Sequence, residues 1–248
     1  MWLDRTLNIP GRLLVKFITR PSGEYRTFSV HDASQIKDVI QPCDVLLVEG
    51  NQWISGAIKY LTQSTWSHAA IYVGDIVDVD SKGEPKVMIE ADIREGVIAV
   101  PLTKYAGLNT RICRPLGLSD QDKSRVITFM MRNLGSAYDM KNIVDLARYL
   151  LPTPPVPMRF RRRLIGFGSG DPTKAICSSL IAQAFQRVRY PILPEVADEK
   201  DESYRIRHST LFVPRDFDIS PYFSVVKPTI EKAYNYQEIK WVDRHEQR

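Results

Sequence analysis

The 248-residue chain contains little cysteine, and what it has follows no recognisable pairing pattern. Its three cysteines are Cys43, Cys113 and Cys177, an odd number without C-x-x-C spacing, which argues against a disulfide framework and a thiolate zinc site. The four histidines share no ligand-like spacing, and the glycines of residues 166–170 lack the lysine and strand context of a phosphate-binding loop. We therefore expect reduced thiols, no metal and no cofactor.

Long apolar runs and a strong charge bias are also missing. Residues 1–17 mix charges and a proline into their apolar stretch and never reach the uninterrupted run of a signal peptide or membrane span. The formal net charge of +5 is too small to indicate nucleic-acid binding by itself. These absences predict a soluble, cytoplasmic protein that does not bind nucleic acid.

Short apolar segments recur along the chain and predict an antiparallel sheet. The expected strands are residues 43–49, 68–73, 86–91, 96–102 and 111–114. Because 44% of the residues are hydrophobic, a chain of this length can bury a substantial core.

Helices are expected between and after these strands. Apolar residues at helical spacing predict one helix over residues 53–62 and another that begins near Cys177. Ser119–Asp122 resembles a helix-opening box, and Gly135 stands where that helix should end. A further short helix is expected over residues 140–150.

The pattern predicts a central domain with extensions at both ends. We expect an accessory hairpin and short helix over residues 1–40, the central domain over 41–226 and a tail over 227–248. Residues 151–170 combine prolines, an arginine cluster and glycines, a composition that resists regular structure. We interpret this segment as a long solvated insertion, with a lid or a surface-docking element as the alternative.

Cys177 differs from the other cysteines because it lies in the first turn of a predicted helix. Unpaired backbone N–H groups and the helix dipole stabilise a thiolate there, and they can also bind a developing oxyanion. Cys43 and Cys113 lie within apolar strands and are expected to be structural core residues.

His68 and Glu90 are the candidates for a base and for the group that orients it. His68 begins an apolar strand, whereas Glu90 is an acid inside another, where burial demands a partner. If the two strands pair antiparallel, Glu90 lies beside His68; Asp92 and Glu95, in the predicted turn, are the alternatives. A thiol, an imidazole and a carboxylate are the parts of a cysteine nucleophile, its base and the orienting group.

Several segments together resemble a circularly permuted papain-like family, the YiiX and YebB branch of the NlpC-type cysteine amidases, which is distantly similar to the lecithin:retinol acyltransferase group. The matching segments are residues 44–48, 67–74, 89–91, 96–97 and 176–179, with a further similarity over 213–223. The resemblance implies an α+β fold, with an antiparallel sheet or half-barrel packed against the helix that carries the nucleophile. By position it implies Cys177 as nucleophile, His68 as base and Glu90 as the third polar residue.

The resemblance implies an enzyme that cleaves the amide bond of a peptide or an amino-acyl amide through a thioester acyl-enzyme. One alternative is a lipid acyl hydrolase or acyltransferase that uses the same triad, with the 151–170 segment touching a membrane surface. A second alternative is a binding module without catalysis.

Overall fold

The computed structural model describes most of the chain between residues 33 and 228. The described residues are 20, 33–74, 78–136, 176–198, 203–228 and 237. The accessory hairpin predicted within residues 1–40 lies outside them except for residue 20, and so do the helix predicted over 140–150 and the insertion predicted over 151–170. The domain boundaries at residues 40 and 226 remain a prediction.

A six-stranded antiparallel sheet, in the order β4-β3-β2-β1-β5-β8, forms the centre of the described structure. Its strands are β1 Val45–Val48, β2 His68–Tyr72, β3 Lys86–Asp92, β4 Gly96–Pro101, β5 Thr110–Pro115 and β8 Phe223–Val226. The first five confirm the predicted strands and their antiparallel pairing, whereas β8, which pairs with β5, was not predicted. Two further strands, β6 Glu195–Asp198 and β7 Ser203–Arg205, form a separate ribbon.

The first predicted strand is shorter than expected, because Cys43 lies in a turn before β1. Its backbone is left-handed, with φ of 73°, which an extended strand cannot contain. The Asp44 carboxylate accepts the backbone N–H of Gln41 across this turn, at 2.8 Å. The chain therefore enters the sheet at Val45.

Both faces of the sheet are covered, which explains the continuous apolar sequence of β1. Val45 and Leu47 face one hydrophobic cluster, while Leu46 and Val48 face a second cluster on the other side. Alternate residues of a strand point to opposite faces, so a strand buried on both sides has no polar positions.

Within the described residues, five helices and two 3₁₀ turns accompany the sheet. They are α1 Ala33–Lys37, α2 Trp53–Thr62, α3 Asp120–Arg132, α4 Ile176–Arg187 and α5 Pro214–Asp218, with 3₁₀ turns at Leu102–Tyr105 and Ser209–Leu211. The Ser119 hydroxyl accepts the backbone N–H of Asp122, which confirms the predicted helix start. None of the helices in the described part of the chain has the length and apolar character needed to cross a membrane.

Helix α4 is held against the sheet by its apolar face. Ile181, Ala184 and Phe185 are buried in the first hydrophobic cluster, and α4 packs on β2 and β3. The Phe185 ring meets Phe223 of β8 edge to face, with 5.3 Å between centroids, a favourable aromatic geometry. This packing fixes the N-terminal end of α4 beside β2.

A buried ion pair joins Asp44, the residue before β1, to Arg114 of β5. Asp44 is 0% exposed, and its carboxylate accepts from Arg114 Nε at 3.0 Å and from Arg114 Nη2 at 2.8 Å. Two parallel N–H···O bonds are the strong geometry of an arginine–carboxylate pair. The pair anchors the start of β1 in the sheet.

Candidate active site

The first component of the site is Cys177, the second residue of α4. Its side chain is nearly buried, with 6% of the residue exposed, and its Sγ lies 3.8 Å from Ser178 Oγ. The thiol also interacts with the imidazole of His68 and with the backbone N–H of Ala69, both on β2. The structure therefore brings together Cys177 and His68, which are far apart in the sequence.

Strand pairing brings His68 and Glu90 together. Ile71 of β2 pairs with Ile89 of β3 and Tyr72 pairs with Met88, so Glu90 lies on the same face as His68, two residues displaced. His68 Nε2 is 2.7 Å from Glu90 Oε2. The two side chains therefore lie next to each other, as the antiparallel pairing predicted.

Asp92, an alternative to Glu90 in the sequence, has a different role in the structure. Its Oδ1 accepts the backbone N–H of Arg94 at 2.7 Å and that of Glu95 at 3.2 Å. These bonds hold the turn between β3 and β4, in which the other alternative, Glu95, is exposed. The carboxylate in contact with His68 is that of Glu90.

Glu90 has two further partners, which sequence reasoning missed. The 3₁₀ turn after β4 presents Lys104, whose Nζ bonds Glu90 Oε1, and Tyr105, whose hydroxyl donates to Glu90 Oε2. Glu90 is 2% exposed, and a buried carboxylate needs its oxygens satisfied. The need for partners was visible in the sequence, but nothing there indicated which residues would supply them.

The electrostatics favour an ion pair between Cys177 and His68. Burial by itself raises the pKa of the Cys177 thiol, but the adjacent His68 imidazolium and hydrogen bonds to the sulfur lower it below the usual value. Burial likewise disfavours the imidazolium, yet the Cys177 thiolate and the Glu90 carboxylate raise the pKa of His68 well above its usual value. The interactions that cause both pKa shifts stabilise the thiolate–imidazolium state.

Glu90 remains ionised in this setting. Burial opposes the charge, but His68 and Lys104 lower the pKa of the Glu90 carboxyl well below its usual range. Burial and the neighbouring Glu90 charge raise the pKa of Tyr105 well above its usual value, so its hydroxyl stays protonated and donates. The carboxylate is therefore a fixed acceptor for the imidazole.

The other two cysteines lie in the core, as expected. Cys43 and Cys113 are 0% exposed and belong to the first hydrophobic cluster. Burial raises the pKa of Cys43 to about 12 and raises that of Cys113 strongly as well. Neither thiol has the environment that activates a nucleophile.

A cavity of about 310 Å³ lies beside His68 and Glu90. Its wall includes Gly50, Ser67 and Lys104, while Cys177 is not among the described residues that line it. The Ser67 hydroxyl accepts the backbone N–H of Gly50 at 2.9 Å, and a Cβ at residue 50 would lie only 2.3 Å from Ser55 Oγ. Glycine at residue 50 thus permits the close packing of this wall.

Part of the chain matches a known family of enzymes. Residues 39–149 match the family model described as permuted papain-like amidase enzyme, YaeF/YiiX, C92 family. This part of the chain, somewhat under half of its 248 residues, is therefore similar to that family. The match includes His68 and Glu90, and Cys177 follows it in the chain. Members of the family are hydrolytic enzymes, so the predicted permuted papain-like α+β fold and the assignment as an enzyme are confirmed.

Among solved structures, the chain is similar to the metalloprotein yiiX from Escherichia coli O157:H7. The TM-score is 0.45 at 18% identity, over 75% of this chain and 96% of that one. A comparison with curated proteins found no match. In this chain, the described residues contain no group of three or more histidine, cysteine or acidic side chains that could hold a metal ion.

Proposed function

We propose that the protein is a cysteine amidohydrolase that cleaves a peptide or amino-acyl amide, with Cys177 as nucleophile, His68 as base and Glu90 as the orienting group. The observation that carries this proposal is the continuous contact from the Cys177 thiol through the His68 ring to the Glu90 carboxylate. Nucleophile, base and orienting group in hydrogen-bond series are the arrangement that activates a cysteine.

The two ring nitrogens of His68 have separate roles in this proposal. Nε2 faces Glu90, so Nδ1 is the nitrogen left to exchange a proton with the sulfur of Cys177. Glu90 accepts the Nε2–H and so fixes the orientation and tautomer of the ring. Lys104 and Tyr105 hold the carboxylate in turn.

The reaction follows from these positions. The Cys177 thiolate attacks the amide carbonyl, forming a C–S bond, and the backbone N–H of Cys177 at the start of α4 helps to hold the oxyanion. The His68 imidazolium gives its Nδ1 proton to the leaving amine as the C–N bond breaks, which leaves a thioester. Neutral His68 then takes a proton from water, whose oxygen attacks the thioester and releases the acid and the Cys177 thiolate.

The cavity beside His68 suits a substrate with both polar and apolar parts, because its wall includes Ile54, Ile58 and Leu108 as well as polar groups. Its wall includes charged side chains of Arg94, Glu95 and Lys104 and the hydroxyl of Ser67. Such groups suit a peptide or amino-acyl portion, whose amides and charges need partners when they leave water. The substrate in this proposal is therefore a small peptide or an amino-acyl amide.

A screen with electrophilic probes tests the proposal. Peptidyl, ester and lipid-like electrophiles are compared on the wild type, Cys177→Ala, His68→Ala and, as a matched control, Cys113→Ala. We expect a peptidyl probe to label the wild type and the Cys113→Ala control, label His68→Ala slowly and fail to label Cys177→Ala.

Two results would count against the proposal. Labelling that persists in Cys177→Ala would move the nucleophile to another residue. Labelling confined to lipid-like probes, and increased by anionic vesicles, would favour the lipid acyl alternative over an amide substrate.

A further inference from the structure

Glu90 is shared between two cationic side chains that come from different elements. His68 of β2 contacts Oε2, while Lys104 of the 3₁₀ turn bonds Oε1. Lys104 is 38% exposed at the cavity wall, whereas Glu90 is buried. The carboxylate that orients the proposed base therefore carries a second ion pair, whose charge the reaction described above leaves without a role.

The charges on Glu90 and Lys104 affect how readily His68 gives up its proton. A lone buried carboxylate beside an imidazole strongly favours the imidazolium, which raises the pKa of the ring. With such a raised pKa, His68 would give up its proton to the leaving amine less readily. A cation on the other oxygen of the same carboxylate weakens that effect. Papain-like enzymes use a neutral asparagine as the third member, and the Glu90–Lys104 pair likewise has no net charge.

We propose that Lys104 is a positioning residue that holds Glu90 against His68 and, by sharing its charge, sets the upper end of the pH range in which His68 stays protonated. This inference rests on the proposed function, because it deepens the role of the same site. Lys104 touches neither the sulfur nor the ring in this proposal and acts through Glu90 alone.

Other titratable and charged groups also face Glu90 and His68, and none of them is replaced in the test. Cys177 of α4 faces the His68 ring, and Asp92, Arg94 and Glu95 lie on the β3–β4 turn at the cavity. Tyr105 donates to the same carboxylate oxygen as His68 and remains neutral. A change in the His68 titration in the Lys104 variant is therefore caused by the loss of the Lys104 charge, because the neighbouring residues are the same in both proteins.

Lys104→Met removes the charge and keeps the aliphatic stem. A full charge near an ionisable group shifts its pKa by about one to three units. Because Lys104 is partly exposed, we expect the pKa of His68 to rise by about one unit, a tenfold gain in proton affinity. Lys104→Arg keeps the charge and should restore the wild-type titration.

The measurement is an NMR titration of the full chain carrying ¹³Cε1-labelled histidine. The chain has four histidines, and the His68 signal is assigned by its loss in His68→Ala. The matched control is Lys86→Met, since Lys86 pairs with Asp78 at the other end of β3 and its removal should leave His68 unchanged.

The outcomes distinguish an effect of Lys104 on the protonation of His68 from a purely structural role of Lys104. A His68 titration that is unchanged in Lys104→Met, with only a lower melting temperature, would overturn the proposal. If Lys104→Met does not fold, Lys104→Gln is used with the same expectation. An ordinary thiol pKa for Cys177 in the wild type would instead refute the proposed function, whereas the role of Lys104 is tested separately, by the difference between the His68 titrations of Lys104→Met and of the wild type.

Discussion

Replacing Glu90 with glutamine should destabilise the fold in a pH-dependent manner. Glutamine is nearly isosteric with glutamate but removes the charge that His68, Lys104 and Tyr105 share. Removing one partner from a buried charge pair typically costs about 3–5 kcal/mol. His68 and Lys104 keep 27% and 38% of their side chains exposed and can turn towards water, so we expect about 2–3 kcal/mol.

The sign of the pH dependence follows from the lowered pKa of Glu90. A carboxyl whose pKa is lower in the folded state stabilises the fold fully above its unfolded value of about 4.3, and this contribution is lost as the pH falls through the folded value. The Glu90→Gln variant lacks that contribution. The difference in unfolding free energy between wild type and variant should therefore be largest near neutral pH and shrink as the pH falls below about 4.

Urea denaturation of both proteins at several pH values tests this expectation. At neutral pH the variant should unfold at a urea concentration lower by about 1 M, with an unchanged slope of free energy against urea. Glu95→Gln, on the exposed β3–β4 turn, is the matched control and should change stability by less than about 0.5 kcal/mol. Equal stability of the Glu90→Gln variant and the wild type at neutral pH would refute the reasoning.

Two more predictions concern the buried parts of the fold. Asp44→Ala leaves Arg114 without its carboxylate and should cost about 3–5 kcal/mol in urea denaturation; a loss below about 1 kcal/mol would show that the ion pair contributes little. In the folded protein at pH 8, iodoacetamide should alkylate Cys177 while sparing Cys43 and Cys113, and all three should react in urea. Peptide mass spectrometry measures the alkylated fraction of each cysteine. Rapid alkylation of Cys43 in the folded state would contradict its buried position.

The elements that could be predicted from the sequence are those whose signals are local. The apolar stretch of β1, the helical spacing of Trp53–Thr62 and the cap at Ser119 each depend on residues close together in the chain. The contact between His68 and Glu90 followed from one further assumption, antiparallel pairing of neighbouring strands, because pairing determines which side chains share a face.

The partners that were missed depend on tertiary structure. Lys104 and Tyr105 contact Glu90 because the 3₁₀ turn folds back over β3, and Arg114 reaches Asp44 because β5 pairs with β1 rather than with β4. Such contacts join segments whose relative position no local pattern specifies. The sequence could indicate that a buried carboxylate needs partners, but not which cations the fold would bring to it.

The ionisation of Cys177 tests the central claim most directly. Ultraviolet absorbance of the thiolate, followed across pH in the wild type and in His68→Ala, measures whether the imidazole stabilises the charged sulfur. We expect the thiolate of the wild type to form below the ordinary cysteine value of about 8.5, and the pKa of Cys177 in the His68→Ala variant to return to that value or above it. A Cys177 titration that is the same in both proteins would contradict the thiolate–imidazolium pair on which the proposed chemistry depends.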